Sequence, residues 1–251
     1  MFQPELRGEP LLRTDEVVVR FGGNTAVDHV SIDIHAGEVT GLIGPNGAGK
    51  TTLYNCITGM QRIDSGRIVF DGEEITGHSS GKRARMGMAR TFQRLELFLS
   101  LSVRDNIRVA GDIVKANTRR RFDLEAETDR VMELTGLTDV AHLDVSDIPT
   151  GRARVVEVAR ALMTAPRLLL LDEPASGQTE QETERFAEML RGLADDGLAV
   201  CLVEHDLPLV MGLCSQIHVL DHGVRIASGT PAEIQASTAV IEAYIGSEVV
   251  A

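Results

Sequence analysis

A glycine-rich stretch limits the possible folds of this chain more than any other feature. It matches G-x-x-x-x-G-K-[ST] and consists of Gly44, Pro45, Asn46, Gly47, Ala48, Gly49, Lys50, Thr51 and Thr52. Residues 38–43 before it predict a buried strand, and Leu53 and Ile57 after it fall on one helical face. This context favours a phosphate-binding loop over an ordinary glycine-rich turn. The helix N-terminus and Lys50 would attract an anion, and the Thr51 hydroxyl can hold Mg²⁺.

Size and charge limit the class of partner. The 251 residues suffice for one domain, with or without an inserted subdomain. With 25 Lys and Arg against 37 Asp and Glu, the net charge is −12, which disfavours nucleic acid as the main partner. Residues 1–5 lack the features of a secretion signal, and no apolar run approaches the roughly 20 residues that cross a bilayer. We therefore expect a cytoplasmic chain that would reach a membrane only by docking to other subunits.

Two groups of residues are interpreted as structural. The cysteines lie in apolar surroundings and are expected to be reduced core thiols: Cys56, Cys201 and Cys214. A basic patch follows the first β-rich part and is interpreted as a solvated face: Lys82, Arg83, Arg85, Arg90 and Arg94.

The second half of the predicted site lies where two later strands end. Residues 168–171 are four leucines, as in a buried parallel strand, and Asp172 and Glu173 follow them. Residues 198–203 predict another buried strand, after which comes His205. Since function gathers at the carboxyl ends of parallel strands, we expect these side chains at one edge, although a plain acidic turn is the alternative. There one carboxylate can hold Mg²⁺ and the next can direct an attacking water.

The remaining pattern divides one domain, residues 1–251, into β-rich and helical parts. Residues 11–34 predict short strands, and residues 66–75 predict a hairpin with a tight primed turn. Apolar residues recur at helical spacing from about 95 to 165, with a polar break at 117–121. We therefore expect an inserted helical subdomain there.

With this loop, Asp172, Glu173 and His205 in that order around a helical insert, the chain resembles ATP-binding cassette (ABC) ATPases. The resemblance implies an α/β fold, in which a P-loop NTPase core carries an antiparallel β subdomain and the inserted α-helical subdomain. It also implies ATP and Mg²⁺ as ligands, with the metal organised by Thr51, Gln93 and Asp172.

The resemblance assigns further roles. Lys50 and the loop amides would hold the phosphates, Glu173 would orient and deprotonate water, and His205 would contact the γ-phosphate. Gln93, in the run Arg-Thr-Phe-Gln, matches the glutamine that links metal, water and transporter. From spacing alone Phe21 can either stack on a base or pack in the core. The family's base-stacking aromatic aligns with it.

Three stretches are similar to the ATPase subunits of bacterial branched-chain amino-acid importers: residues 21–27, the run around Gln93, and residues 241–246. Such subunits pair with a second ABC ATPase subunit, as homodimers or heterodimers. They dock on transmembrane permease subunits, to which an extracytoplasmic solute-binding protein delivers the solute. The resemblance thus implies a peripheral position at the inner face of the membrane.

Two segments depart from the family pattern. The signature, usually Leu-Ser-Gly-Gly-Gln, is here residues 148–152, where Pro149 offers neither hydroxyl nor N–H. Thr150 and Arg152 can supply a hydroxyl and a cation, and Gly151 is expected to contact nucleotide bound to the opposite subunit. Residues 176–179 lack the family's usual final aspartate. A nucleotide-binding subunit with a degenerate signature in a heterodimer, or a soluble non-transport ABC ATPase, therefore remain alternatives.

Overall fold

The computed structural model describes residues 8–117 and 122–248, so most of the predicted polar break and residues 1–5 lie outside it. The strands are β1 (Leu12–Phe21), β2 (Asn24–Ile34), β3 (Val39–Ile43), β4 (Ser65–Phe70), β5 (Glu73–Glu74), β6 (Met88–Arg90), β7 (Leu168–Asp172), β8 (Ala199–Val203), β9 (Gln216–Asp221) and β10 (Val224–Gly229). The α-helices are α1 (Lys50–Thr58), α2 (Ser80–Arg85), α3 (Val103–Asn117), α4 (Leu124–Leu134), α5 (Thr150–Leu162), α6 (Glu180–Asp195), α7 (Leu207–Leu213), α8 (Pro231–Gln235) and α9 (Thr238–Glu248).

Two sheets form the framework of the described residues. The first is antiparallel, with strand order β2-β1-β4-β5. The second has the order β10-β9-β3-β8-β7-β6 and is parallel except for the β9–β10 pair. β3, which leads into the phosphate-binding loop, lies between β8 and β9. This order places the end of β8, which leads to His205, beside the loop, and the end of β7, which carries the acidic groups, one strand further along.

The central strands β3, β7 and β8 are buried along their whole length. In β7, Leu168 and Leu170 join the core beneath the antiparallel sheet, while Leu169 and Leu171 join the core beneath the helices. Such two-sided burial explains why these strands are continuously apolar. Asp172 pairs with Val203 across β7 and β8, so both strands end at the same level.

The predicted hairpin in the β-rich part is confirmed. β4 and β5 pair through Val69 with Glu74 and Phe70 with Glu73. The two residues between the strands, Asp71 and Gly72, have φ angles of 52° and 75°. Two positive φ angles in a two-residue loop match the twist of a hairpin, as the Asp-Gly pair predicts.

Between β6 and β7 the described chain contains a non-helical stretch, residues 91–102, followed by the helices α3, α4 and α5. α3 packs on α4 and α5, and its Val103 and Ile107 are fully buried in the same core as Leu169 and Leu171. The helices therefore share a core with one face of the parallel sheet. None of the described helices is both long and apolar enough to cross a bilayer.

The three cysteines are free and buried, as predicted. Burial raises the pKa of Cys56 to about 12 and that of Cys201 to about 12, and it also raises the pKa of Cys214. They therefore serve as small apolar core residues.

The interpretation of the basic patch as a solvated face is wrong for two of its arginines. Arg83 is only 2% exposed, and its guanidinium donates to the carbonyls of Cys56 (2.6 Å) and Ile57 (2.7 Å) at the end of α1. It also donates to the carbonyl of Thr76 (2.9 Å). Arg90 is likewise almost completely buried. A helix C-terminus favours a cation, so Arg83 holds α2 against α1.

Replacing Arg83 should therefore destabilise the fold. In Arg83→Met the apolar stem remains, but buried carbonyls lose their donor, so we expect the free energy of unfolding to fall by about 3 kcal/mol or more. The exposed Arg85→Met is the matched control and should stay within about 0.5 kcal/mol of the wild type. Denaturant unfolding measures both, and equal stabilities of the two variants would contradict the role of Arg83.

Candidate functional site

A cavity of about 340 Å³ opens at the carboxyl ends of β3, β7 and β8. It is lined by Asn24, Thr25, Ala26, Asn46, Gly47, Ala48, Gly49, Lys50, Thr51, Thr52, Gln93, Glu173, Val203, His205 and His222. The structure thus brings Gln93, Glu173 and His205 together with most of the phosphate-binding loop, although they are far apart in the sequence.

The loop has its shape because glycine occupies two tightly packed positions. Gly44 has φ 148°, and a Cβ there would lie 2.0 Å from the carbonyl oxygen of Leu220. Gly49 has φ 98°, and its Cβ would lie 2.4 Å from the carbonyl oxygen of Ala26. Any side chain would force the backbone to move at both positions. The loop is thereby held against β9 and β2 while it curves around the cavity.

Lys50 supplies a cation to this loop. Its Nζ donates to the carbonyl oxygens of Gly44 (2.7 Å) and Pro45 (2.9 Å). Burial lowers the pKa of Lys50, whereas the nearby Glu173 and Asp172 carboxylates oppose this effect. α1 begins at Lys50, and no described side chain caps its N-terminus. The amides of this helix end and the ammonium group are therefore suited to bind phosphate oxygens.

Glu173 is the centre of a hydrogen-bonded trio. Its Oε1 lies 2.9 Å from His205 Nε2, and its Oε2 accepts a hydrogen bond from Gln93 Nε2 at 3.1 Å. Its backbone has a φ of 51°, in the left-handed region that non-glycine residues seldom adopt. Strain of this kind gathers at functional sites. The arrangement holds a carboxylate at the cavity wall, where it can direct a water molecule.

Glu204 is a component of the site that the sequence pattern did not reveal. This buried carboxylate accepts hydrogen bonds from the amides of Ala175 (2.8 Å) and His205 (3.1 Å). Burial raises its pKa, although these amide hydrogen bonds lower it in part. Glu204 therefore joins the loop after Glu173 to the segment that carries His205. Its only signal in the sequence is a carboxylate at the end of a buried strand.

Two hairpins also contribute cavity residues that were not predicted. Asn24, Thr25 and Ala26 come from the start of β2, and His222 comes from the turn between β9 and β10. The amide of Gly223 donates to the carbonyl of Ala48 (3.1 Å), which fixes that turn against the loop. Residues Asp221 and Gly223 flank His222 in this turn, but the sequence pattern does not show its contact with the phosphate-binding loop.

Phe21 is placed on the surface. Its side chain is 51% exposed, so the alternative of core packing is wrong. It does not line the cavity, but its partner across the hairpin, Asn24, does. Base stacking by Phe21 stays a prediction.

The residues present fit a magnesium ion that is bound together with a phosphate ligand. Among the described residues, no three carboxylate, imidazole or thiol side chains cluster as a metal cage. Mg²⁺ in nucleotide sites needs only one or two protein oxygens, since phosphates and waters supply the rest. Thr51 lines the cavity, and the buried Asp172 carboxylate lies near Lys50. Both are oxygen donors of the kind that Mg²⁺ prefers.

The departing signature segment lies away from this cavity. Pro149 precedes α5 without a side-chain cap among the described residues, and Gly151 packs so tightly on Gln178 that a Cβ would lie 2.9 Å from its Cγ. Arg152 Nη1 donates to both carboxylate oxygens of Asp139, at 2.7 and 2.9 Å. The predicted compensating cation is therefore already paired within its own chain.

The second departure has a local structural role. Thr179 caps α6: its hydroxyl accepts a hydrogen bond from the Glu182 amide (3.3 Å), and its own amide donates to the Glu182 carboxylate (2.9 Å). Threonine and aspartate are both good N-caps, so the start of α6 does not require aspartate. Any effect of this segment on a partner subunit stays a prediction.

Comparisons with known proteins agree with this geometry. The ABC transporter family matches residues 27–176, and the C-terminal family "Branched-chain amino acid ATP-binding cassette transporter" matches residues 224–250. The chain belongs to the ABC transporter family. The predicted family, the α/β fold class and the ATPase activity are thereby confirmed. Like the family, this ATPase binds nucleotide.

Its relatives extend over nearly the whole chain. The high-affinity branched-chain amino acid transport ATP-binding protein LivG of Escherichia coli is 37% identical over 95% of this chain and 98% of its own length. The corresponding protein BraF of Pseudomonas aeruginosa is 38% identical, with 94% and 98% covered. A crystal structure of an ABC transporter cassette in its ADP conformation superposes with a TM-score of 0.85 at 29% identity, with 95% and 100% covered.

We expect Glu204→Gln to lower kcat by at least about tenfold, since a small displacement of catalytic groups is enough for such a loss. A glutamine NH₂ would face a backbone N–H, so one of the two loop contacts is lost. The KM for ATP should change by no more than about twofold, because the phosphate-binding loop is untouched.

Asp206→Asn is the control for this experiment. Asp206 caps α7 through the Leu209 amide (2.9 Å), and asparagine caps equally well. Steady-state ATPase kinetics measure both variants. A Glu204→Gln enzyme with the kcat of Asp206→Asn would refute the positioning role of Glu204.

Proposed function

We propose that this ATPase powers the import of branched-chain amino acids through separate membrane subunits. The observation that carries the ATP-hydrolysing part of the proposal is the contact of Glu173 with both His205 and Gln93 at the wall of the cavity. The C-terminal family match and the similarity to LivG and BraF support the class of transported solute. The solute itself is selected by the other subunits of such a transporter.

Each site residue has a physical task in this proposal. Lys50, the loop amides and the N-terminus of α1 hold the phosphates of ATP. Thr51, Gln93 and Asp172 would hold Mg²⁺, which supplies charge neutralisation at the phosphates when bound. Glu173 orients the attacking water and accepts its proton, and His205 holds Glu173 and contacts the terminal phosphate. Phe21 stacks on the base.

Gln93 also connects the site to a surface suited to a membrane subunit. Five and six residues after it, Phe98 and Leu99 are 49% and 58% exposed. The Arg160 guanidinium lies 5.3 Å from the centre of the Phe98 ring. A cavity of about 330 Å³ between β6 and α5 adjoins this segment. An exposed aromatic group beside a cavity is typical of a protein contact, so we infer that the permease subunits dock here, at the inner face of the membrane.

The remaining partners follow from the same proposal. A second cassette subunit would supply its signature segment to this cavity, and this chain would supply Gly151 in return. An extracytoplasmic solute-binding protein would act indirectly, by delivering the solute. The acidic net charge of −12 gives no support to nucleic acid as a partner.

Glu173→Gln should keep ATP binding and lose turnover by a factor of about 10² to 10⁴, because the general base is removed while the phosphate contacts remain. ATP hydrolysis by the purified chain, measured over a range of protein concentrations, tests this together with ATP binding. Glu184→Gln, an exposed glutamate on α6, is the matched control and should be as active as the wild type.

The outcomes of this experiment separate the candidate functions. Near-full turnover in Glu173→Gln would remove Glu173 from its role. Wild-type turnover that rises more steeply than linearly with protein shows that the chain pairs with itself. Tight ATP binding without turnover at any concentration would favour a subunit that needs a different cassette as its partner.

The signature gives a second test, made in the complex with the membrane subunits. In Pro149→Ser combined with Thr150→Gly the hydroxyl moves from position 150 to position 149, and the backbone at position 149 gains an amide donor, so ATP turnover should rise by several-fold. The exposed Asp147→Asn is the control and should leave turnover unchanged. Unchanged ATP turnover in the double variant would show that the departures are neutral.

A further inference from the structure

Arg90 is a buried cation that touches three elements around the cavity. Its side chain is 6% exposed, and that of Asp172 is 4% exposed. One guanidinium nitrogen donates to Asp172 Oδ2 at 2.9 Å, and another donates to Asn55 Oδ1 on α1 at 2.6 Å. The guanidinium carbon lies over the rings of Tyr54 (5.4 Å to the ring centre) and Phe92 (5.1 Å). A cation enclosed in this way has one orientation.

The contact fixes one side of the Asp172 carboxylate. Asp172 ends β7, and its amide donates to the Thr91 hydroxyl at 3.3 Å. With Oδ2 bonded to Arg90, Oδ1 is the oxygen left for a ligand. Hydrogen bonds to the second oxygen of a ligating carboxylate set its orientation and strongly influence metal affinity.

The same short segment carries Gln93, three residues after Arg90. Arg154 on α5 donates to the carbonyls of Phe92 (2.9 Å) and Gln93, and the Thr91 amide donates to the Leu170 carbonyl (2.9 Å). The segment is therefore attached both to the helix that follows the signature and to β7. α5 is therefore linked by hydrogen bonds to the segment that carries both Arg90 and Gln93.

We propose that Arg90 is a positioning residue that aligns Asp172 for Mg²⁺ and connects this alignment to the Gln93 segment. The inference rests on the proposed role of Asp172 at the metal. Two effects oppose each other, since the guanidinium repels Mg²⁺ but also holds the carboxylate. Loss of an outer hydrogen-bond partner lowers metal affinity by about 10- to 100-fold in comparable sites, so the alignment effect should dominate.

The test measures binding of a fluorescent ATP analogue during a Mg²⁺ titration and, separately, in excess EDTA. We expect Arg90→Met to raise the half-saturating Mg²⁺ concentration by at least about tenfold. Affinity in EDTA should stay within about twofold of the wild type, because the phosphate-binding loop is intact. Arg94→Met, an exposed arginine on the same segment, is the control and should match the wild type.

Arg90→Lys separates charge from alignment and also serves if Arg90→Met does not fold. Lysine keeps the positive charge but cannot reach both Asp172 and Asn55, so it too should raise the Mg²⁺ requirement. Unchanged or tighter Mg²⁺ binding in these variants would overturn the proposal. Equal binding of the analogue by the wild type in Mg²⁺ and in EDTA would contradict the proposed metal role of Asp172 as well. The wild-type titration therefore separates a failure of that role from a failure of the Arg90 proposal alone.

Discussion

The arrangement of the site depends on the parallel hydrogen bonding between β7 and β8. Asp172 pairs with Val203, so the residues that follow each strand, Glu173 and His205, emerge at the same edge. Both strands are buried on both faces, and a shift of one residue would exchange the side chains of the two cores. The apolar residues of these strands therefore fix the positions of the proposed catalytic groups that follow them.

Beyond the strand ends, buried polar contacts replace this regular pairing. Glu204 joins two loops through backbone amides, and Arg90 joins α1, β6 and β7. Arg154 attaches α5 to the segment before Gln93. Such hydrogen bonds are stronger in a low-dielectric interior than in water, and each of them ties the position of one element to that of another. The cavity wall is thus connected through these contacts to α5, the helix that begins within the signature segment.

The sequence predicts those parts of the site that depend on local patterns. The phosphate-binding loop follows from the order of its own residues, and the Asp-Gly hairpin and the two apolar strands follow from neighbouring residues. The linear pattern does not separate the buried Arg90 and Arg83 from the exposed Lys82 and Arg85, because the burial of a side chain depends on residues that are distant in the sequence. The partner of Arg90, Asp172, lies 82 positions away. The Glu204 contact with Ala175 spans 29 positions, and its role is likewise invisible in a linear pattern.

The buried cysteines have a practical consequence for studying movement in this ATPase. Alkylating reagents attack the thiolate, and burial both shields the sulfur atoms and keeps them protonated at neutral pH. A single cysteine introduced on the exposed surface would therefore react far ahead of the native three. Spectroscopic labels can therefore be attached to introduced surface cysteines while the three native cysteines stay in place, so distances between labelled positions can be measured with the core unaltered.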